Sequence, residues 1–266
     1  WAFEWKTSRM ESLLGVALAN GALYGVFTFL GKPFSGAHFN PAVTFCLAVT
    51  GNIHVLKAIL YIFCQLSASI FAGLFLAWLQ EDYLEKANRG MLGFPKLGSN
   101  ITPLAGVFVE MVGSFMLLFM YYCVSVHRTE SNIKRLATSA KEASEDNVAT
   151  LENSSVLIGA IYAFCTMAIG NATGAALNPA RVLGPVMIAN QVRYYGQLWV
   201  YFVGPIVGGL LGCFSYILVC MEVTPKEAIK GVDYEEQILD VLQDNERERL
   251  VANTTGNIVE SEIIRK

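Results

Sequence analysis

The chain has 266 residues, is 54% hydrophobic and 15% charged, and carries a formal net charge of -3. A mean hydropathy of +0.44 is too apolar for an ordinary soluble domain. No basic patch points to nucleic acid, and apolar runs of about twenty residues read instead as membrane helices.

In chain order, residues 10–31 read as a first full span. Residues 32–39, with Pro33 and Gly36, read as a loop. Asn40 followed by Pro41 suits an N-cap with proline at the first helical position. The apolar run 41–50 stops at Gly51-Asn52 and is long enough to cross only half a bilayer. Residues 54–80 form a second span and 81–102 a polar surface loop. A third span, 103–126, carries one acid, Glu110, and 127–153 read as a charged loop. A fourth span covers 155–170, a second short loop 171–177, a second half-helix 179–189, and a fifth span 197–221. Residues 1–221 therefore read as one membrane domain of an all-α membrane protein, and 222–266 as a soluble tail. Within the tail, Tyr234 to Val251 has the pattern of an amphipathic helix. The cysteines (Cys46, Cys64, Cys123, Cys165, Cys213 and Cys220) sit in apolar runs without metal-ligand spacing. They read as small buried hydrophobes, and no metal or cofactor is expected.

A repeat organises the chain. Gly36-Ala-His-Phe-Asn-Pro-Ala42 is matched by Gly174-Ala-Ala-Leu-Asn-Pro-Ala180, with Asn40 and Asn178 lying 138 residues apart. At the same offset Gly21-Ala22-Leu23-Tyr24 matches Gly159-Ala160-Ile161-Tyr162, and Thr28 matches Thr166. One Asn-Pro is a weak turn signal. Two copies in apolar halves mark the paired interrupted segments with which repeat-built membrane transporters place a site at mid-membrane. The symmetry calls for six full spans where the chain shows five, so the counterpart of 103–126 is missing before residue 1. An open flank is expected beside residues 10–31 and 197–221, filled by lipid or another membrane chain.

Half-helices entering from opposite faces point two partially positive N-termini at one place. A cation there meets two dipole ends after losing its hydration, whereas a neutral hydrogen-bonding molecule does not. Asn40 and Asn178 are expected to cap their helices with the side-chain oxygen and to offer an amide N–H to the pore. Loop carbonyls at 36–39 and 174–177 are expected to line the path, since irregular backbone at that depth must face protein or a wet cavity. Arg181 has Val43 as its counterpart, so its charge is no repeat feature; within the membrane it is expected to face the cavity. Glu110 is read as a brace for the N–H groups of the second loop. His38 is read as a hydrogen-bonded loop residue. No nucleophile–base pair, metal cluster or nucleotide loop supports an enzyme.

These residues resemble the major intrinsic protein family, the aquaporins and aquaglyceroporins, over roughly residues 8–221. Carrying the likeness are the motif Asn40, Pro41, Ala42, its second copy Asn178, Pro179, Ala180, the Arg181 that follows, and Glu110. The resemblance implies an inverted-repeat helical bundle with two re-entrant half-helices, a homotetramer with one pore per subunit, and passive passage of water and small neutral solutes. The family's selectivity constriction falls on Asn20, Thr166, Ala175 and Arg181. Water channels typically carry Phe, His, a small residue and Arg at these positions; glycerol channels carry Trp, Gly, an aromatic and Arg. Asn20 and Thr166 fit neither pattern and imply a wider, polar constriction. Val182 and Tyr201-Phe202 lean towards the water branch. The family's orientation puts residue 1 outside and the tail in the cytosol, with Lys and Arg slightly in excess on that inner side. Asn100-Ile101-Thr102 is then a glycosylation acceptor in an outer loop. Two other readings stand beside a water channel: a glycerol or urea facilitator, and a non-conducting membrane subunit with this fold.

Overall fold

A computed structural model describes residues 9–83, 92–126, 143–189 and 195–220, and every regular element among them is helical. The helices are α1 (Arg9–Ser35), α2 (Pro41–Val49), α3 (Val55–Tyr83), α4 (Pro103–Tyr121), α5 (Ala143–Thr173), α6 (Pro179–Ile188) and α7 (Val200–Cys220); a π-helical turn, Tyr122–Val126, extends α4. Among the described residues five helices are long and apolar enough to cross a membrane, while α2 and α6 are half-length. The chain is an integral, multi-pass membrane protein. The amphipathic helix expected at 234–251 and the rest of the tail lie outside the described residues.

The expected loops 32–39, 81–102, 127–153 and 171–177 are each partly helical, α3 running on to Tyr83 and α5 to Thr173. α1 continues through Lys32 and Pro33 to Ser35. Lys32 is tolerated there because its ammonium donates to Ser125 Oγ at 3.1 Å and Ser154 Oγ at 2.7 Å. α5 begins at Ala143, inside the stretch read as a charged loop, although its apolar span covers only Ser154–Thr173. Apolarity marks the part of a helix that lipid surrounds, and the backbone continues past it at little cost. Two expected cysteine positions also differ: Cys64 and Cys123 are exposed. In a membrane protein an apolar side chain need not be inside, because lipid accepts it as readily as a core does.

The repeat is visible as packing. α1 and α5 cross where Gly21 faces Gly159; a Cβ on either would lie 2.5 Å from the other's carbonyl oxygen. Both positions therefore require glycine. α7 lies along α4 through Gly204, Gly208 and Gly212, and a Cβ at Gly208 would fall 2.1 Å from the Met111 carbonyl. Small residues at such contacts let helices approach closely where hydrophobic burial gives no drive. α6 packs on α3 around Gly184, whose N–H donates to Ser69 Oγ at 2.9 Å, while the Ser69 hydroxyl donates on to the Ala180 carbonyl.

The open flank lies beside α1 and α3 rather than beside α1 and α7. α7 is covered by α4, so the face beside residues 197–221 is occupied. α3, the repeat counterpart of α7, has no such neighbour among the described residues. Only 6% of its apolar window is buried, against 50% for α4, and Phe63, Phe71 and Trp78 stand exposed along it. The same symmetry that relates α3 to α7 thus puts the flank beside α1 and α3. The core proper gathers behind α2, with Val43, Leu47, Leu117, Leu118, Tyr122 and Ile158 in one cluster, and a second cluster under α6 around Val182, Val186 and Tyr201.

Candidate functional site

The two Asn-Pro turns are built alike. Asn40 and Asn178 are extended (φ -149, ψ 116 and φ -150, ψ 112), and proline takes the first helical position of α2 and α6. Proline has no N–H to leave unsatisfied there and its ring presets a helical φ. Each Asn Oδ1 accepts from the backbone N–H two residues on, Ala42 and Ala180, both at 2.9 Å. The approaching loops carry the strain. Ala37 and Phe39 have φ of 50° and 47°, and their counterparts Ala175 and Leu177 have 48° and 55°. Gly36 and Gly174 precede them with φ of 74° and 81°, and side chains adopt this left-handed conformation only when surroundings over-determine it.

The surroundings do so through hydrogen bonds. Ser35 Oγ accepts from Ala37 N at 3.3 Å, and Thr173 Oγ1 from Ala175 N at 3.2 Å. The buried Glu110 carboxylate accepts from the Thr173 hydroxyl at 2.5 Å, Ala176 N at 3.0 Å and Leu177 N at 2.8 Å. The two backbone contacts come from N–H donors, so the carboxyl serves the loop as an acceptor. Tyr201 adds its hydroxyl to the Thr173 carbonyl at 2.9 Å.

The asparagine amides do not simply point at open space. Asn40 Nδ2 donates to the Leu177 carbonyl at 2.8 Å, and Asn178 Nδ2 donates to the Phe39 carbonyl at 2.9 Å. Each asparagine thus caps its own helix and ties itself to the other loop, which pins the two N-termini end to end. One hydrogen of each amide is spent in this way and one remains. The expected capping is present, and the cross-loop tie adds to it; the tie depends on residues 137 and 139 positions apart and no local pattern announces it.

Arg181 Nη1 donates to the carbonyls of Gly174 and Ala175, both at 3.0 Å. Its side chain and Thr166 line one cavity of about 400 Å³ with Leu13, Val16, Gly170 and Asn171. Thr166 turns its hydroxyl back onto the Tyr162 carbonyl at 2.9 Å. Of the four expected constriction positions, Thr166 and Arg181 are thus brought together at the cavity. Ala175 is fully buried and reaches the group through its carbonyl, and Asn20 lies deeper along α1, its Nδ2 buried without a partner. His38 is buried, with Nδ1 3.2 Å from Thr44 Oγ1, and Thr44 also accepts from Gln65 Nε2 at 2.9 Å. Among the described residues no His, Cys, Asp and Glu cluster suits a metal ion.

Family comparison agrees with this architecture: residues 2–216 match the major intrinsic protein family. The chain belongs to that family. It is 33% identical over 207 residues to aquaporin TIP4-2 of Zea mays, covering 78% of this chain and 70% of that one. Aquaporin-5 of Mus musculus is 31% identical over 215 residues, covering 81% and 72%. Among solved structures, the aquaglyceroporin from Plasmodium falciparum superposes with a TM-score of 0.62 at 23% identity, over 78% of this chain and 82% of that chain. A member of the major intrinsic protein family is a channel protein and not an enzyme.

Three tyrosines at this family site escaped the sequence reading. Tyr24 donates to the His38 carbonyl at 2.9 Å, Tyr162 to the Ala176 carbonyl at 3.1 Å, and Tyr121 to the Gly36 carbonyl at 3.2 Å. The matched pair Tyr24 and Tyr162 was visible as part of the repeat. Nothing in the repeat alone says that the two rings meet.

Proposed function

We propose that this protein is a passive membrane pore that conducts water and excludes ions and protons, with an outer constriction wide and polar enough to admit small neutral solutes such as urea or hydrogen peroxide. The observation that carries the reading is the reciprocal tie between Asn40 and Asn178. It holds two helix N-termini face to face, so a cation at the junction meets two partial positive charges. Arg181 adds a full positive charge at the cavity beyond it. Asn20, Thr166, Ala175 and Arg181 form the outer constriction in this reading. Two small polar side chains there favour hydrogen-bonding solutes and supply no apolar wall for a polyol backbone. Glu110 acts as the brace of the second loop.

The channel domain is residues 1–221 with a cytosolic tail at 222–266, and the functional unit is a homotetramer with a pore in each subunit. Lipid or a further membrane helix covers the exposed faces of α1 and α3. The test is reconstitution of the full chain into liposomes, with stopped-flow water permeability and ion current measured on the same preparation. Water permeability above that of empty vesicles without current is the expected result. A current that scales with protein amount, or water flux no greater than lipid alone, overturns the reading.

A further inference from the structure

The pore reading supplies a path but not its narrowest point. Of the eight loop carbonyls expected to serve permeating molecules, seven, all but that of Ala37, have a protein donor in the hydrogen bonds described. Tyr121 takes Gly36, Tyr24 takes His38, Tyr162 takes Ala176, and Arg181 takes Gly174 and Ala175. The Phe39 and Leu177 carbonyls are taken by the asparagine amides.

Helical spacing shows where the tyrosines stand. On α5, Gly170, Thr166 and Tyr162 follow at four-residue steps on one stripe; on α1, Val16, Asn20, Tyr24 and Thr28 do the same. Gly170, Thr166 and Val16 line the cavity that holds Arg181. Moving inward from Thr166, the next residue on that stripe is Tyr162, and the matching residue on α1 is Tyr24. Their rings are stacked, with centroids 4.7 Å apart and planes inclined by 15°. Rings at that separation are in contact, and no water fits between them. From α1 and α5 the hydroxyls reach the loop carbonyls of His38 and Ala176, so the two side chains bridge from helix to loop. One turn outward on α1 the Asn20 Nδ2 is buried without a partner, and one turn inward so is the Thr28 hydroxyl. Buried polar groups of this kind are ordinarily satisfied by water. Unmet polar groups therefore flank the stack on both sides along one stripe.

Resting on the pore reading, we propose that the Tyr24–Tyr162 stack is a second constriction in series with the Arg181 level, and that it, rather than Asn20 and Thr166, sets which neutral molecules pass. Each phenol donates to a carbonyl at the place where a permeating water would donate. A water that displaces it restores the same bond, so the rings part for single waters at small cost. Urea and glycerol need both rings moved at once and are held out. The wide, polar outer constriction then admits solutes only as far as the stack.

The test compares the full-length wild type with Tyr24→Val/Tyr162→Val, Tyr24→Phe/Tyr162→Phe and Tyr24→Leu in liposomes at equal protein content. Water permeability and the influx of urea and glycerol are measured by stopped-flow light scattering. The valine pair is expected to raise water permeability roughly tenfold, equivalent to about 1.4 kcal/mol of barrier, and to lift urea influx clearly above that of empty vesicles. The phenylalanine pair keeps the rings and is expected to keep urea out. Should the valine pair fail to give a wild-type gel-filtration profile, Tyr24→Leu decides, with an expected rise in water permeability of roughly threefold. A folded valine pair, or the leucine variant in its place, that leaves water and urea flux unchanged overturns the proposal; so does a wild type that already passes urea, or a phenylalanine pair that admits it. If the wild type passes no water but the valine pair does, the stack is the barrier and the water-channel reading of the wild type falls instead. If neither passes water, both fall.

Discussion

Replacing Glu110 tests how the second loop is held in its left-handed conformation. The carboxylate is fully buried and takes three donors: the Thr173 hydroxyl and the N–H groups of Ala176 and Leu177. In Glu110→Ala both amides lose their acceptor inside protein. A buried unsatisfied donor costs about 1–3 kcal/mol. Removing a buried carboxyl recovers part of its desolvation penalty, and a water entering the space recovers more. A net loss of about 3 kcal/mol is the working figure, or roughly 6–12 °C in Tm on the scale of a domain of this size. Glu110→Gln keeps one acceptor oxygen but turns an amide N–H towards the other donor, so about half that loss is expected. The Gly174 and Ala175 carbonyls that hold Arg181 belong to the same loop. Water permeability should therefore fall in the same order as stability. The assay is thermal unfolding in detergent followed by tryptophan fluorescence, with stopped-flow permeability on the same variants. Glutamine and alanine variants that melt together, or an alanine variant within about 1 °C of wild type, would refute the reasoning.

Three further outcomes follow from the geometry. Gly184→Ala should yield no folded protein on gel filtration, because its Cβ would lie 2.1 Å from the Ser69 carbonyl oxygen, a backbone atom that cannot move aside; a well-folded variant would contradict the packing of α6 on α3. Asn40→Ala and Asn178→Ala each remove a cap and a cross-loop tie. Each should cost about 2 kcal/mol in thermal unfolding, and the double variant less than the sum, since both report on one junction; additive losses would mean that the loops are held independently. Arg181→Ala should raise proton flux roughly tenfold in pH-dye-loaded liposomes while sparing water flux, because it removes the full charge and leaves only the helix dipoles; unchanged proton flux would place the charge barrier elsewhere.

The spans and the paired half-helices were legible in the amino-acid order alone. A bilayer demands about twenty apolar residues per crossing, and the duplicated Asn-Pro-Ala sits at a constant offset that survives without any structure. Capping was legible too, because Asn before Pro is a local arrangement. What lay beyond the sequence was everything that depends on which segments face each other. The Lys32-Pro33 end of α1 read as a loop, since only the folded chain brings Ser125 and Ser154 to the ammonium. Cys64 and Cys123 read as buried because apolarity does not separate a core from a lipid-facing surface. The asparagine ties, the Tyr121 bond to the Gly36 carbonyl and the Tyr24–Tyr162 stack join residues far apart in the chain. Periodicity places a tyrosine on a helix stripe; only the crossing of α1 and α5 at Gly21 and Gly159 lets two such stripes bring their rings into contact.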